Sequence, residues 1–295
     1  MRYTLLAIPF AAALVSAQAS QPAVTEPTFE VASVKRNNTG APGGSLVMPP
    51  GRFAATNIPL KVLITNAYQL SFFQVVGGPD WVSIDRFDIA AKVPEGAPPE
   101  QTRAMLRTLL RDRFTLAVHM ETRDTPIYAL VKARADNRLS PSLKSSTTDC
   151  GPIRAQRAAA IAEVARARGG RVPVPPPPGP NEPVVCQMRV SGRGGSTLTY
   201  RAGNTTMTAL ANALRPYVGR EVVDKTGLAG EFDFDLQFSP PPTTGIVDAG
   251  IPVAPLDDAT SVFTALQEQL GLKLESTRGP VQLMVIDRAE KPDEN

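Results

Sequence analysis

The chain of 295 residues has one histidine, His119, one tryptophan, Trp81, and two cysteines, Cys150 and Cys186. One histidine rules out an HExxH zinc helix, and one histidine with two cysteines falls short of a four-ligand Cys/His zinc site. Any Ser-His-Asp or Cys-His arrangement must pass through His119. That residue alternates with Val118 and Met120 on an expected strand with no motif around it, so it reads as a structural or surface histidine. Neither cysteine has a histidine near it in sequence, which leaves a catalytic thiol unsupported. Excess charge is lacking too. Lysine and arginine number 31 against 28 acids, and the net charge of +3 argues for neither nucleic acid nor a membrane surface as partner. Beyond residue 19 no apolar run reaches the ~20 residues of a spanning helix. No serine lies three residues before a lysine and no Ser-Asp-Asn occurs. Lys225-Thr226-Gly227, which spells the KTG of β-lactamases and penicillin-binding proteins, therefore lacks its companions and reads as a turn. Gly192-Arg193-Gly194-Gly195 lacks the spacing of a phosphate cradle. No cofactor and no metal are expected.

What is present begins with an address. Arg2 supplies a positive start, residues 5–15 are apolar, and Ala17-Gln18-Ala19 fits a small-x-small cleavage pattern, with cutting before Ser20. No cysteine follows the cut, so a lipid anchor is not expected. The mature chain is expected to be exported, periplasmic or extracellular, with no transmembrane segment. An oxidising compartment and an even cysteine count predict one disulfide, Cys150–Cys186. Apolar content of 42% and charged content of 20% are those of a globular protein, in one or two domains at this length.

Two stretches organise the rest. In REVVDKTGLAGEFDFDLQF (220–238), Val222 and Val223 favour a strand, Asp224-Lys225-Thr226-Gly227 supplies turn chemistry, and Phe232, Phe234, Leu236 and Phe238 alternate with polar residues. Strict period two predicts a strand with one apolar face. The counterpart is VVGGPDWVSIDRFDIAAK (75–92), where Phe87 and Ile89 flank Asp88. The flanks match as well. Leu60, Leu63, Ile64 and Ala67 precede the first stretch at helical spacing, and Met207, Leu210, Ala211 and Leu214 precede the second. After the first come a stripe of Met105, Leu106, Leu109 and Leu110, a strand at 114–119, Thr122-Arg123, Pro126 and a last strand IYALV. After the second come Val262, Phe263, Leu266 and Leu270, a strand at 272–275, Thr277-Arg278, Pro280 and VQLMVI. Five features keep their order, so the chain reads as an α+β protein of two related strand-helix-hairpin-helix-strand units.

The expected boundaries are a signal peptide at 1–19, a tail with strands at 20–51, the first unit at 52–133, an insertion at 134–195, the second unit at 196–288 and a polar tail at 289–295. The insertion holds an Ala/Arg-rich helix at 153–168 and a Pro-rich run at 171–183 that no regular core element accommodates. Arg154, Arg157, Arg166, Arg168 and Arg171 read as the charge of a solvated helix. The segment is expected to be an excursion between the units, pinned by its cysteines.

FEVASVKRN near the start, GGPDWVSIDRFDIAAK, LLRDRFTLAVHMETRDTPIYALV, VVDKTGLAGEFDFDLQF and SVFTALQEQLGLKLE with VQLMVIDRAEKPDEN resemble the soil-associated secreted protein family, abundant in Acidobacteria and defined by a domain of unknown function. The resemblance covers nearly the whole mature chain and is weakest in the Pro-rich insertion. It implies an exported bacterial protein without an established activity. In some relatives a similar domain follows an antirepressor-type membrane metallopeptidase domain, which implies a sensing or binding role; no such peptidase segment is present here. At fold level the order of elements resembles the short N-terminal domains of secretins and TonB-dependent receptors, which are protein-contact modules.

The leading expectation is a non-catalytic binding or interaction module of the cell envelope, taking a peptide on an exposed sheet edge. Pro79, Asp80 and Trp81 in the first unit, and Asp224 and Lys225 in the second, are the candidate contacts. The alternative is a hydrolase of envelope polymers using paired carboxylates. Asp233 and Asp235 lie on one strand face roughly 7 Å apart, a spacing within the range of inverting glycosidases.

Overall fold

In the computed structural model the described residues are 26–41, 43–49, 51–134, 140–167, 184–192, 197–240 and 260–293. The expected signal segment, the Pro-rich run and most of the 239–258 loop lie outside them. The chain runs β1 (Val31–Asn37), β2 (Ser45–Val47), β3 (Arg52–Pro59), α1 (Leu60–Tyr68), a 3-10 turn (Phe72–Gln74), β4 (Val75–Gly77), α2 (Trp81–Ile84), β5 (Arg86–Lys92), α3 (Pro99–Phe114) and β6 (Ala117–Lys132). It continues with β7 (Lys144–Ser145), α4 (Cys150–Ala167), β8 (Gln187–Ser191), β9 (Leu198–Thr205), α5 (Met207–Val218), β10 (Val222–Asp224), β11 (Phe232–Phe238), α6 (Val262–Ala265) leading into a π-helical turn (Leu266–Leu270), and β12 (Leu272–Arg288).

The helices form where the apolar stripes predict them. Leu60, Leu63, Ile64 and Ala67 are the buried face of α1, and Met207, Leu210, Ala211 and Leu214 that of α5. Pro99 opens α3 with Glu100 in its first turn, and Arg111 and Arg113 close it, charges that oppose the helix dipole at each end. Phe263 departs from the expected stripe: it is 39% exposed and packs edge-on against Tyr128. The alternation of β11 is borne out, with Phe232, Phe234, Leu236 and Phe238 all buried.

Among the described residues, three four-stranded sheets result. The first has the order β1-β5-β3-β2 and the third β7-β11-β9-β8, both antiparallel throughout. Between them lies β10-β6-β12-β4, in which β6 and β12 pair antiparallel while β10 runs parallel to β6 and β4 parallel to β12. The outer strands of the third sheet, β7 and β8, come from the segment expected to be an excursion, and Leu143 just before β7 is buried in its core.

Two expectations are corrected. The stretches at 75–92 and 220–238 are not hairpins, because β4 and β5 belong to different sheets, as do β10 and β11. Gly77 and Gly78, both at positive φ, and the short α2 swing the chain from one sheet to the next. The expected strand pairs at 114–119 with 127–131, and at 272–275 with VQLMVI, are each one continuous strand, of 16 and 17 residues. Pro126 and Pro280 sit inside them. Proline forfeits one N–H, which a strand tolerates on an unpaired side. Beside β6 the strand β10 spans only the partners Tyr128–Leu130, and beside β12 the strand β4 spans only Met284–Ile286, so no strand among the described residues covers the flank of either proline.

The central sheet ties two cores together. One core gathers Phe53, Ile58, Leu63, Phe87, Leu106 and Phe114, and it also takes Met284 and Ile286 from β12 at the far end of the chain. The other gathers Leu210, Phe232, Phe238, Leu266 and Leu272, and it takes Leu130 from β6. On the opposite face of the central strands, Ile127, Val281 and Leu283 form a small third cluster under Phe73, Val76 and Val223.

Candidate functional site

A shared bulge fixes the outer sheets. In β3 and β9 an asparagine stands in the left-handed region, Asn57 at φ 57° and Asn204 at φ 56°, where pairing with β5 and β11 shifts register. This conformation turns the backbone N–H out of the ladder, and an aspartate receives it. Asp88 Oδ1 accepts from Asn57 N–H at 2.8 Å, and Asp233 Oδ1 accepts from Asn204 N–H at 2.7 Å. The asparagine amides tie down neighbouring backbone: Asn57 Nδ2 donates to Ala41 O at 2.8 Å and Asn204 Nδ2 to Thr148 O at 3.0 Å. The Phe-Asp pair that the two stretches share is thus a structural device. Asp233→Ala is expected to cost about 2–3 kcal/mol, since a buried N–H loses a charged acceptor, and Asp233→Asn about half as much. Shifts in the urea midpoint at unchanged slope are the check.

The shared bulge aligns β5 with β11, and the alignment shows where they differ. Beside β5 the strand β1 pairs along all seven residues, with Lys35 opposite Asp88 and Val31 opposite Lys92. Beside β11 the strand β7 supplies only Lys144 opposite Asp233 and Ser145 opposite Phe232. Immediately before Lys144 the chain turns away: Leu143 N–H donates to Ser140 O at 3.0 Å around Pro141. Glu231 O, on the β7 side, receives Ser146 N–H at 2.8 Å. Strand alternation sends the N–H and C=O of Asp233, Asp235 and Gln237 the same way. Gln237 meets a side chain there rather than a strand. Its N–H donates to Gln269 Oε1 at 2.8 Å, and its O accepts from Gln269 Nε2 at 2.7 Å. Among the described residues no strand lies beside Asp235. A cleft of about 540 Å³ opens instead, lined by Ser142, Lys144, Asp233, Asp235, Gln237 and Gln269, among others. Asp235 is 61% exposed, with Arg201 of β9 3.5 Å away on its other side.

The residues singled out from sequence are not brought to one place. Pro79 and Asp80 are exposed at the end of β4; Trp81 is half-buried, edge-on to Phe87 at 6.2 Å and 5.8 Å from the Lys291 ammonium. Asp224 ends β10 and Lys225 follows it, on the opposite edge of the central sheet. Asp224 Oδ1 accepts from Thr226 N–H at 3.0 Å and from its hydroxyl at 2.7 Å, and Thr226 is buried, so KTG is indeed a turn. Lys225 N–H donates to Leu130 O at 2.9 Å and its side chain is exposed. Cys150 and Cys186 form the expected disulfide, with Cα atoms 5.5 Å apart. His119 is half-exposed, its Nδ1 2.9 Å from both oxygens of Asp287. Arg157 donates to Gln187 Oε1 at 3.2 Å; Arg168 and Arg171 lie outside the described residues.

Of the two carboxylates offered for hydrolysis, Asp233 is engaged at Asn204 and only Asp235 is open. Among the described residues Glu221 is the carboxyl that burial pushes above its ordinary value, against the opposing pull of Arg215, and it stands beside β10, away from the cleft. Burial also drives the Tyr200 hydroxyl far up, within the second core. No group of three or more His, Cys, Asp or Glu among the described residues is placed to hold a metal ion. Ser142, Leu143 and Gln269 escaped the sequence reading. The Pro141 turn just before Lys144 was the available signal for the first two; a lone glutamine on a helix carries none.

The family described as a protein of unknown function (DUF3738) matches residues 61–289, from within α1 to just past β12. No curated protein and no solved structure matches the chain. With well over half its length matched, the chain belongs to the DUF3738 family, whose function is unknown.

Proposed function

We propose that the protein is an exported, non-catalytic interaction module of the bacterial envelope that takes an extended peptide segment on the edge of β11. The observation that carries this reading is the strand edge at Asp235–Gln237, flanked by a cleft and held by a side-chain amide where the other outer sheet has a strand. Open edges bind extended chains through backbone hydrogen bonds and draw specificity from alternate side chains. Export is supported by the disulfide and by the signal-like first nineteen residues. No described helix is long and apolar enough to cross a membrane. The two halves read as copies of one unit, supported by the common strand order of the outer sheets and the paired Asn57–Asp88 and Asn204–Asp233 devices. The soil-bacterial origin implied by the sequence motifs is part of this reading. Hydrolysis of envelope polymers has less support, because Asp233 is tied to the fold.

The test is site-specific photo-crosslinking in cells, with the photoreactive residue at Ser142 beside the cleft or at Ala90 on the filled sheet. Adducts to peptide segments of envelope proteins from Ser142 and not from Ala90 are expected. Equal labelling from both positions, or an envelope-polymer hydrolase activity that vanishes in Asp235→Asn, overturns the proposal.

A further inference from the structure

Resting on that reading, the geometry points to a specific occupant: an extended peptide strand, antiparallel to β11, that sets a lysine or arginine opposite Asp235 and displaces the amide of Gln269. The other outer sheet contains the filled version of this slot. There Lys92, four residues after Asp88, gives its carbonyl to Glu30 N–H at 3.1 Å. Gln237, four residues after Asp233, gives its carbonyl to Gln269 Nε2 at 2.7 Å. The glutamine amide has one donor and one acceptor on the same side, as a strand residue does, so it satisfies Gln237 as a strand would. It is a placeholder, and a peptide backbone satisfies the same two groups and those of Asp235 as well.

Charge sets the side chain. In both outer sheets the residue across from the bulge aspartate is a lysine, Lys35 opposite Asp88 and Lys144 opposite Asp233. The next outward-facing position on β5 is Ala90, opposite Ser33, which asks for no charge. On β11 it is Asp235, exposed on the cleft side, with Arg201 on the β9 side. A cation arriving on the incoming strand completes the pair, whereas an acid there faces two carboxylates. Leu143, 3% exposed, already fills the inward position that Val34, 1% exposed, fills in the first sheet. The incoming strand therefore need not bring a core residue, and its recognition is carried by backbone and charge.

The test uses the full mature chain and three labelled, end-capped peptides, TVTVK, TVTVA and TVTVE, whose last residue meets Asp235 while the earlier ones run along Leu236 to Ser239, clear of β7, with binding read by fluorescence anisotropy. TVTVK is expected to bind about fivefold more tightly than TVTVE, the ordinary span between favourable and unfavourable cross-strand pairs. Asp235→Lys is expected to reverse that order. Gln269→Ala is expected to tighten all three by up to about tenfold, since two competing hydrogen bonds are gone. Asp235→Pro, which removes the outward N–H and leaves the β9 ladder alone, is expected to abolish binding. Should Gln269→Ala unfold the protein, the charge reversal in Asp235→Lys decides the question alone. Peptide binding that Asp235→Pro leaves intact overturns this slot while the general interaction reading stands. An Asp235 amide already protected from exchange in the free protein shows the chain filling its own edge, and overturns the slot too. Failure of the cellular crosslinks at Ser142 is instead a failure of the general reading.

Discussion

Leu130→Ala is expected to lower the stability of the whole protein by about 2–5 kcal/mol, and to shift the unfolding of Trp81, which lies in the other core, by the same amount. Leu130 is fully buried among Leu210, Phe232 and Leu266, yet it stands on β6, which follows α3 in the first half. Trp81 packs on the core of Phe87 and Phe114. The two sites are joined because β6 and β12 pair along nearly their whole lengths, with Leu130 opposite Leu274 and Val118 opposite Ile286. Loosening one core frees strands that the other needs. Ile286→Ala is the reciprocal case: a residue near the C-terminus whose loss empties part of the N-terminal core. The measurement is a pair of urea curves, from Trp81 fluorescence and from the near-ultraviolet dichroism of the Tyr200–Tyr217 cluster. Coincident midpoints in both variants are the expected outcome. A Trp81 transition that stays in place in Leu130→Ala means that the halves unfold separately and the shared sheet does not couple them.

Breaking the Cys150–Cys186 disulfide is expected to cost about 3–4 kcal/mol, the loop-closure value for its sequence separation of 36. The bond joins the first residue of α4 to the chain entering β8. Cys186 holds a left-handed φ of 56°, and next to it Val184 O lies 2.0 Å from where a side chain on Gly203 would begin. Backbone meets backbone there, so β8 is held against β9 in one register only. Without the bridge, β8 should fray first, leaving β9 and β11 paired. Hydrogen exchange checks the order: amides of Arg189 and Ser191 should lose protection in Cys150→Ser/Cys186→Ser before that of Leu236 does. Simultaneous loss in all three strands counts against a local role for the bond.

Most of the elements and their buried faces were legible in the sequence. Period two at Phe232–Phe238 and helical spacing at Leu60, Leu63 and Ile64 are local signals, because neighbours a few residues apart share a face whatever the rest of the chain does. The disulfide and the KTG turn were legible for the same kind of reason, one from a cysteine count and one from missing companions. Half of the site was also legible, since Asp233 and Asp235 stood out as paired acids; their different fates were not, because the N–H of Asn204 that engages Asp233 lies 29 residues away. Which strands pair was not legible there. β4 and β5 follow one another in sequence and end in different sheets, while β4 finds its partner some 200 residues on in β12. Periodicity carries no record of such pairings, as they are settled by which apolar faces meet. The edge of β11 that no strand among the described residues covers is of that kind. It exists because one proline turn ends β7 early and one glutamine from a distant helical turn stands in for the missing strand, and neither residue announces its neighbour.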